Sequence, residues 1–111
     1  MKIRVKIIIN YATEIWQIKK ITKNNLKKIP KDKPGIYGIF TESGKLQKIG
    51  RAKRARLPER ILESAKEIKK ARREAKKFAI ILTKNVEEAK KLETRLIKER
   101  KPPFNKEEKG K

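Results

Sequence analysis

Glu93 stands where a leucine would be safer. Turned at about 100° per residue, the last helical segment puts Val86, Ala89, Leu92, Leu96 and Ile97 on one face, and Glu93 projects between the directions of Val86 and Ala89. Glu87, Glu88 and Glu99 point elsewhere or lie at the margin of that face. Burying an unpaired carboxylate costs on the order of several kcal/mol, so a cation, a metal or hydrogen-bond donors must stand beside it. One reading is a structural ion pair with Arg60 or another arginine. The other is a metal site facing nucleic acid, because the chain carries 34 Lys and Arg against 13 Asp and Glu, a net charge of +21.

The residue types restrict the chemistry further. With no Cys and no His, disulfides, thiolate nucleophiles, the usual zinc ligand sets and a histidine general base are all excluded. Any reaction must be carried by Tyr, Lys, Arg and carboxylates. A folded domain of this charge implies a polyanionic partner, with nucleic acid the default. An anionic membrane is the competitor, but no apolar span of about 20 residues exists to serve as an anchor. No secretory pattern opens the chain, since Lys2, Arg4 and Lys6 alternate with apolar residues. A cytoplasmic protein is therefore expected.

The elements that must position these groups follow from periodicity. At 111 residues one core is expected. Lys2 to Ile9 alternates polar and apolar residues as a half-buried strand does, Asn10-Tyr11 reads as a turn, and Glu14 to Ile21 as a returning strand. Lys23 to Lys33 reads as a connection ending between Pro30 and Pro34. Gly35-Ile36-Tyr37-Gly38-Ile39-Phe40 and Leu46 to Gly50 form a hairpin around Glu42-Ser43-Gly44. A helix opens near Pro58 and Glu59, with Leu57, Ile61, Ile68, Ala71 and Ala75 on one arc and Arg60 at its shoulder. Arg72 falls inside that arc, which helical periodicity does not explain. Phe78 to Leu82 is a further strand, Asn85 caps the last helix, and Pro102-Pro103 stops it. The predicted fold class is α/β (α+β): a small central antiparallel sheet of three or more strands flanked by helices, extended by an N-terminal strand or hairpin. Residues 1–33 form the extension and connection, 34–105 the main domain and 106–111 a solvated basic tail.

Gly35-Ile36-Tyr37, Lys48-Ile49-Gly50, Arg60, Leu92-Glu93 with Leu96-Ile97-Lys98, and Pro103-Phe104-Asn105, in this order, resemble the GIY-YIG nuclease family. The likeness is greatest to the N-terminal incision domain of the bacterial excision-repair nuclease, and it covers roughly Pro34 to Asn105. The resemblance implies a metal-dependent DNA endonuclease that hydrolyses phosphodiester bonds. Glu93 would hold one divalent cation, Mg²⁺ or Mn²⁺. Arg60 would neutralise charge at the phosphate, Tyr37 would activate the attacking water, and Asn105 would orient the site or bind backbone. Arg51 would lie near the phosphate, with Arg56 a substitute for Arg60.

Between Lys45 and Arg56 the chain has six basic residues and no acidic one. That run offers Arg51, Lys53, Arg54 and Arg56 as phosphate contacts, with or without catalysis. The departure from the family pattern is Lys48, where the second signature motif begins with tyrosine. An ammonium there would favour the Tyr37 phenolate, and a neutral Lys48 would itself accept a proton. Serine occupies position 64, where several relatives carry histidine. The expected partner is DNA, double-stranded or branched, ahead of RNA, bound by a monomer or homodimer of prokaryotic, viral or plasmid origin. The alternative is a non-catalytic nucleic-acid-binding protein that keeps the fold. Residue by residue the plainer roles are a core aromatic for Tyr37 and Trp16, and a solvated strand lysine for Lys48.

Overall fold

The computed structural model describes residues 12–105. In chain order the elements are strand β1 (Ala12–Lys20), helix α1 (Lys23–Lys27), strands β2 (Gly35–Phe40) and β3 (Leu46–Ala52), helix α2 (Leu57–Lys70), strand β4 (Lys77–Thr83) and helix α3 (Val86–Arg100). The four strands form one antiparallel sheet in the order β1-β4-β2-β3. The expected strand at Lys2 to Ile9 and its turn at Asn10-Tyr11 lie outside the described residues. The returning strand is β1, which extends the sheet by pairing with β4.

β2 is hydrogen-bonded on both sides, to β3 and to β4. It is also covered on both faces, which is why it reads as a continuous apolar run and not as an alternation. On one face Tyr37, Ile39, Phe78, Ile80 and Leu82 meet Leu57, Ile61, Ala65 and Ile68 of α2. On the other, Ile36, Ile49 and Ile81 meet Ala89, Leu92 and Leu96 of α3. Trp16 packs against the α2-side cluster, its ring 6.5 Å from that of Phe78, as a core aromatic would. No helix among the described residues is long and apolar enough to cross a membrane.

The helix termini show where periodicity was a good guide and where it was not. Asn85 caps α3 as expected, its side chain accepting the Glu88 N–H at 2.9 Å. Lys101, in the left-handed region at φ 46°, ends the same helix just before Pro102. α2 stops at Lys70, earlier than the apolar arc suggests, and Ala71 is exposed. Ala75 is buried from the following loop and not from the helix. Arg72 adopts φ 60° and is exposed, so the helical phase that put it inward no longer applies. Its N–H donates to the Lys69 carbonyl and the Arg73 N–H to that of Ile68, the paired closure usually completed by glycine. The predicted connection over 23–33 holds the short helix α1, capped by Thr22 accepting from the Asn25 N–H and anchored by buried Leu26.

An arginine in the left-handed conformation is strained where glycine is not. Arg72→Gly is expected to raise stability by about 0.5–1 kcal/mol, the relief being partly offset by glycine's looser unfolded chain. The urea midpoint measures it, and a fall in that midpoint would contradict the assignment of strain.

Candidate active site

β3 is an edge strand, and it carries residues of opposite facing next to one another. Lys48 and Gly50 lie on the α2 side, whereas Ile49 packs towards α3. Groups from both helices converge along this edge in a cleft of about 610 Å³. Tyr37, Lys48, Arg51, Lys53, Arg56, Arg60, Glu93 and Asn105, eight of the residues singled out by sequence, line it. Arg54 does not; it lies exposed at the turn beyond β3.

Tyr37 comes from the central strand, opposite Gly50 in the register. A Cβ at position 50 would collide with the Tyr37 ring and hydroxyl, so the glycine leaves the space through which the phenol crosses its neighbouring strand. The Tyr37 hydroxyl shares a 2.6 Å hydrogen bond with Ser64 Oγ, and both residues are buried. Ser64 sits on α2 between Ile61 and Ile68, within the helix's buried stripe. A hydroxyl in that stripe was the available signal for its role.

Lys48 is 8% exposed and is not a solvated strand lysine. Its ammonium lies 3.8 Å from Glu67 Oε2 and 5.5 Å from the centre of the Phe104 ring. Neither partner was predicted: Glu67 is a surface residue of α2, and Phe104 meets Lys48 only through the tertiary fold. Asn105 is buried, lines the cleft and is hydrogen-bonded to the backbone of β3. Its Oδ1 accepts the Ile49 N–H at 2.7 Å, and its Nδ2 donates to the Ile49 carbonyl at 2.9 Å. The side-chain amide thus occupies the edge of β3 as a neighbouring strand would, and it is not left facing outward as a DNA contact.

Glu93 turns towards the cleft from α3, its side chain 17% exposed, and Arg51 Nη1 donates to its Oε1 at 2.9 Å. The ion pair expected with Arg60 or another arginine is therefore made by Arg51. Arg60 is half exposed and lies 4.0 Å from Glu63, while Arg56 pairs with Glu59 at 3.2 Å. Burial pushes the Glu93 carboxyl above the usual 4.5. The charge and hydrogen bond of Arg51 oppose that rise, as do the charges of Lys48 and Arg60. Glu93 is the one carboxylate among the described residues lining the cleft. No cluster of three or more potential metal-ligating side chains occurs among the described residues.

Along this edge strand the cleft gathers one tyrosine, five cations and one largely buried carboxylate, a set whose charge suits a phosphate group. The sequence profile of the UvrC-like GIY-YIG domain matches residues 33–106, and this chain belongs to that family. Among solved structures it is similar to the GIY-YIG N-terminal endonuclease domain of UvrC from Thermotoga maritima, a tyrosine-to-phenylalanine point mutant bound to its catalytic divalent cation. The two are 30% identical with a TM-score of 0.56, over 75% of this chain and 98% of that one. No curated protein matches the chain.

The Glu93 shift carries a sign for stability. Folded Glu93 holds its proton more tightly than the unfolded chain does, so ionising it costs folding free energy. That cost is absent below the unfolded value near 4.5 and complete above the raised folded one. Glu93→Gln is therefore expected to melt higher than wild type at about pH 7 without metal, with the gap closing towards about pH 4. Thermal melts across that range test it, and a gap that widens on acidification would refute it.

Proposed function

We propose that this chain is a DNA endonuclease that hydrolyses phosphodiester bonds with one divalent cation, Mg²⁺ or Mn²⁺, held by Glu93. The observation that carries the reading is the convergence of Tyr37, Lys48, Arg60 and Glu93 on one cleft. The donor set fits such a cation. A lone carboxylate matches a hard ion that keeps most of its waters and takes its other ligands from substrate phosphate. The cation would polarise the scissile phosphate and stabilise the leaving oxygen.

The chain's own groups supply the rest. Ser64 fixes the Tyr37 hydroxyl in the cleft that Lys48 also lines, and in this reading Tyr37 takes or relays the proton of the attacking water. Arg60 is half exposed and reaches the phosphate as charge grows on it. Arg51, Lys53 and Arg56 bind flanking phosphates of double-stranded or branched DNA, and Asn105 holds the strand bearing Lys48 and Gly50 in place. Lys48 also favours a second reading. Between Glu67 and Phe104 it suits the role of phosphate ligand in a protein that binds nucleic acid without cutting it.

A nicking assay separates the two. Wild type is expected to nick DNA only with Mg²⁺ or Mn²⁺, while Glu93→Ala loses cleavage by about 10² or more and keeps DNA affinity within a few-fold. Cleavage by Glu93→Ala at the wild-type rate would sink the metal site. Failure of wild type to nick any DNA structure would favour the binding protein. Under either reading affinity falls by about 10³ from 50 to 200 mM salt if six phosphates are neutralised, and filter binding across that range checks it.

A further inference from the structure

The Arg51–Glu93 pair has an asymmetry that a purely structural ion pair does not need. Glu93 is fixed on α3 by the burial of its neighbours Leu92 and Leu96, with its side chain 17% exposed. Arg51 is 41% exposed and lines the same cleft as Lys53 and Arg56. The carboxylate stays; the guanidinium has somewhere to go. While Arg51 Nη1 holds Oε1 at 2.9 Å, a divalent cation must approach a carboxylate already neutralised, with Lys48 and Arg60 acting on the same group. Two further positive charges are then opposed by every cation of the cleft. A phosphodiester changes both sides of this balance. It offers Arg51 two non-bridging anionic oxygens that match the guanidinium fork, in place of the single contact to Glu93, and it offers the cation oxygen ligands that the cleft lacks.

We propose that Arg51 couples the two ligands: it holds the Glu93 carboxylate in the DNA-free protein and leaves it for a DNA phosphate, so that DNA and divalent cation each strengthen the other's binding. This rests on the cation site proposed above. It makes Arg51 a positioning residue for the carboxylate as well as a phosphate contact. The protein without DNA is a poor cation binder, and the metal site is completed at the moment that substrate arrives. By linkage the effect is reciprocal, with a coupling of about 5–150-fold expected for such sites.

Binding of Mn²⁺, followed through the paramagnetic resonance signal of the free ion, tests this without reference to turnover. The full chain is titrated as wild type, Arg51→Ala and Glu93→Gln, alone and with a short DNA duplex, in the cold before cleavage accumulates. The Glu93→Gln titration supplies the background of ions held by DNA. Without DNA, Arg51→Ala is expected to bind Mn²⁺ about tenfold more tightly than wild type. The duplex is expected to raise wild-type affinity about tenfold and that of Arg51→Ala by clearly less. Equal affinities of wild type and Arg51→Ala, or an equal gain from DNA in both, overturn the coupling while leaving the cation site standing. A Glu93→Gln protein that binds Mn²⁺ as wild type does overturns the cation site itself.

Discussion

A carboxylate taken half out of water has to be held by positive charge, and the cleft of this protein is organised around that requirement. The helix that carries Glu93 is fixed by its neighbours, which are packed against Ile36, Ile49 and Ile81. The carboxylate's compensation comes across the gap from β3 and α2, as Arg51 in contact and Lys48 and Arg60 at longer range. The same cations that make the carboxylate tolerable also make the cleft attractive to a polyanion. One electrostatic arrangement therefore both compensates the carboxylate and draws negative charge to the cleft.

The sheet determines how these charges are brought together. A central strand buried on both faces is the most rigid place in the fold to mount a side chain, and Tyr37 is mounted there. To reach the cleft its ring must pass over the neighbouring strand, and the absent side chain of Gly50 gives it passage. α2 then meets the phenol with Ser64 and brings Arg56 and Arg60 to the rim. The site is accordingly divided. Its tyrosine is buried and held by Ser64, whereas its arginines are about half exposed, each paired with a glutamate.

The sequence made the elements legible where a single local rule governed them. The β2–β3 hairpin, the Asn85 cap and the inward phase of Glu93 each depend on residues within a turn or two of one another, and family resemblance set them in order. What lay outside local reach was pairing. Helical phase says that Glu93 faces inward but not which arginine stands opposite, and Arg60 was as good a candidate as Arg51 until β3 was placed beside α3. The end of α2 was hidden for another reason. Its closing residue is Arg72 and not the glycine that marks such a turn. Lys48 looked like a solvated lysine because Glu67 and Phe104, which bury it, lie 19 and 56 positions away in the chain.

The amide of Asn105 ties together distant parts of the chain. It satisfies both backbone groups of Ile49 from 56 residues further along the chain, and Phe104 beside it lies under Lys48. Until that C-terminal segment docks, the strand carrying Lys48, Gly50 and Arg51 has a bare edge, ready to pair with any other extended chain. The wall of the cleft is therefore incomplete until that docking is made. A chain still emerging, or cut short before Asn105, has the tyrosine and the carboxylate but not the closed edge that holds them in register. The contact that covers this open edge is thus the same one that finishes the wall of the cleft.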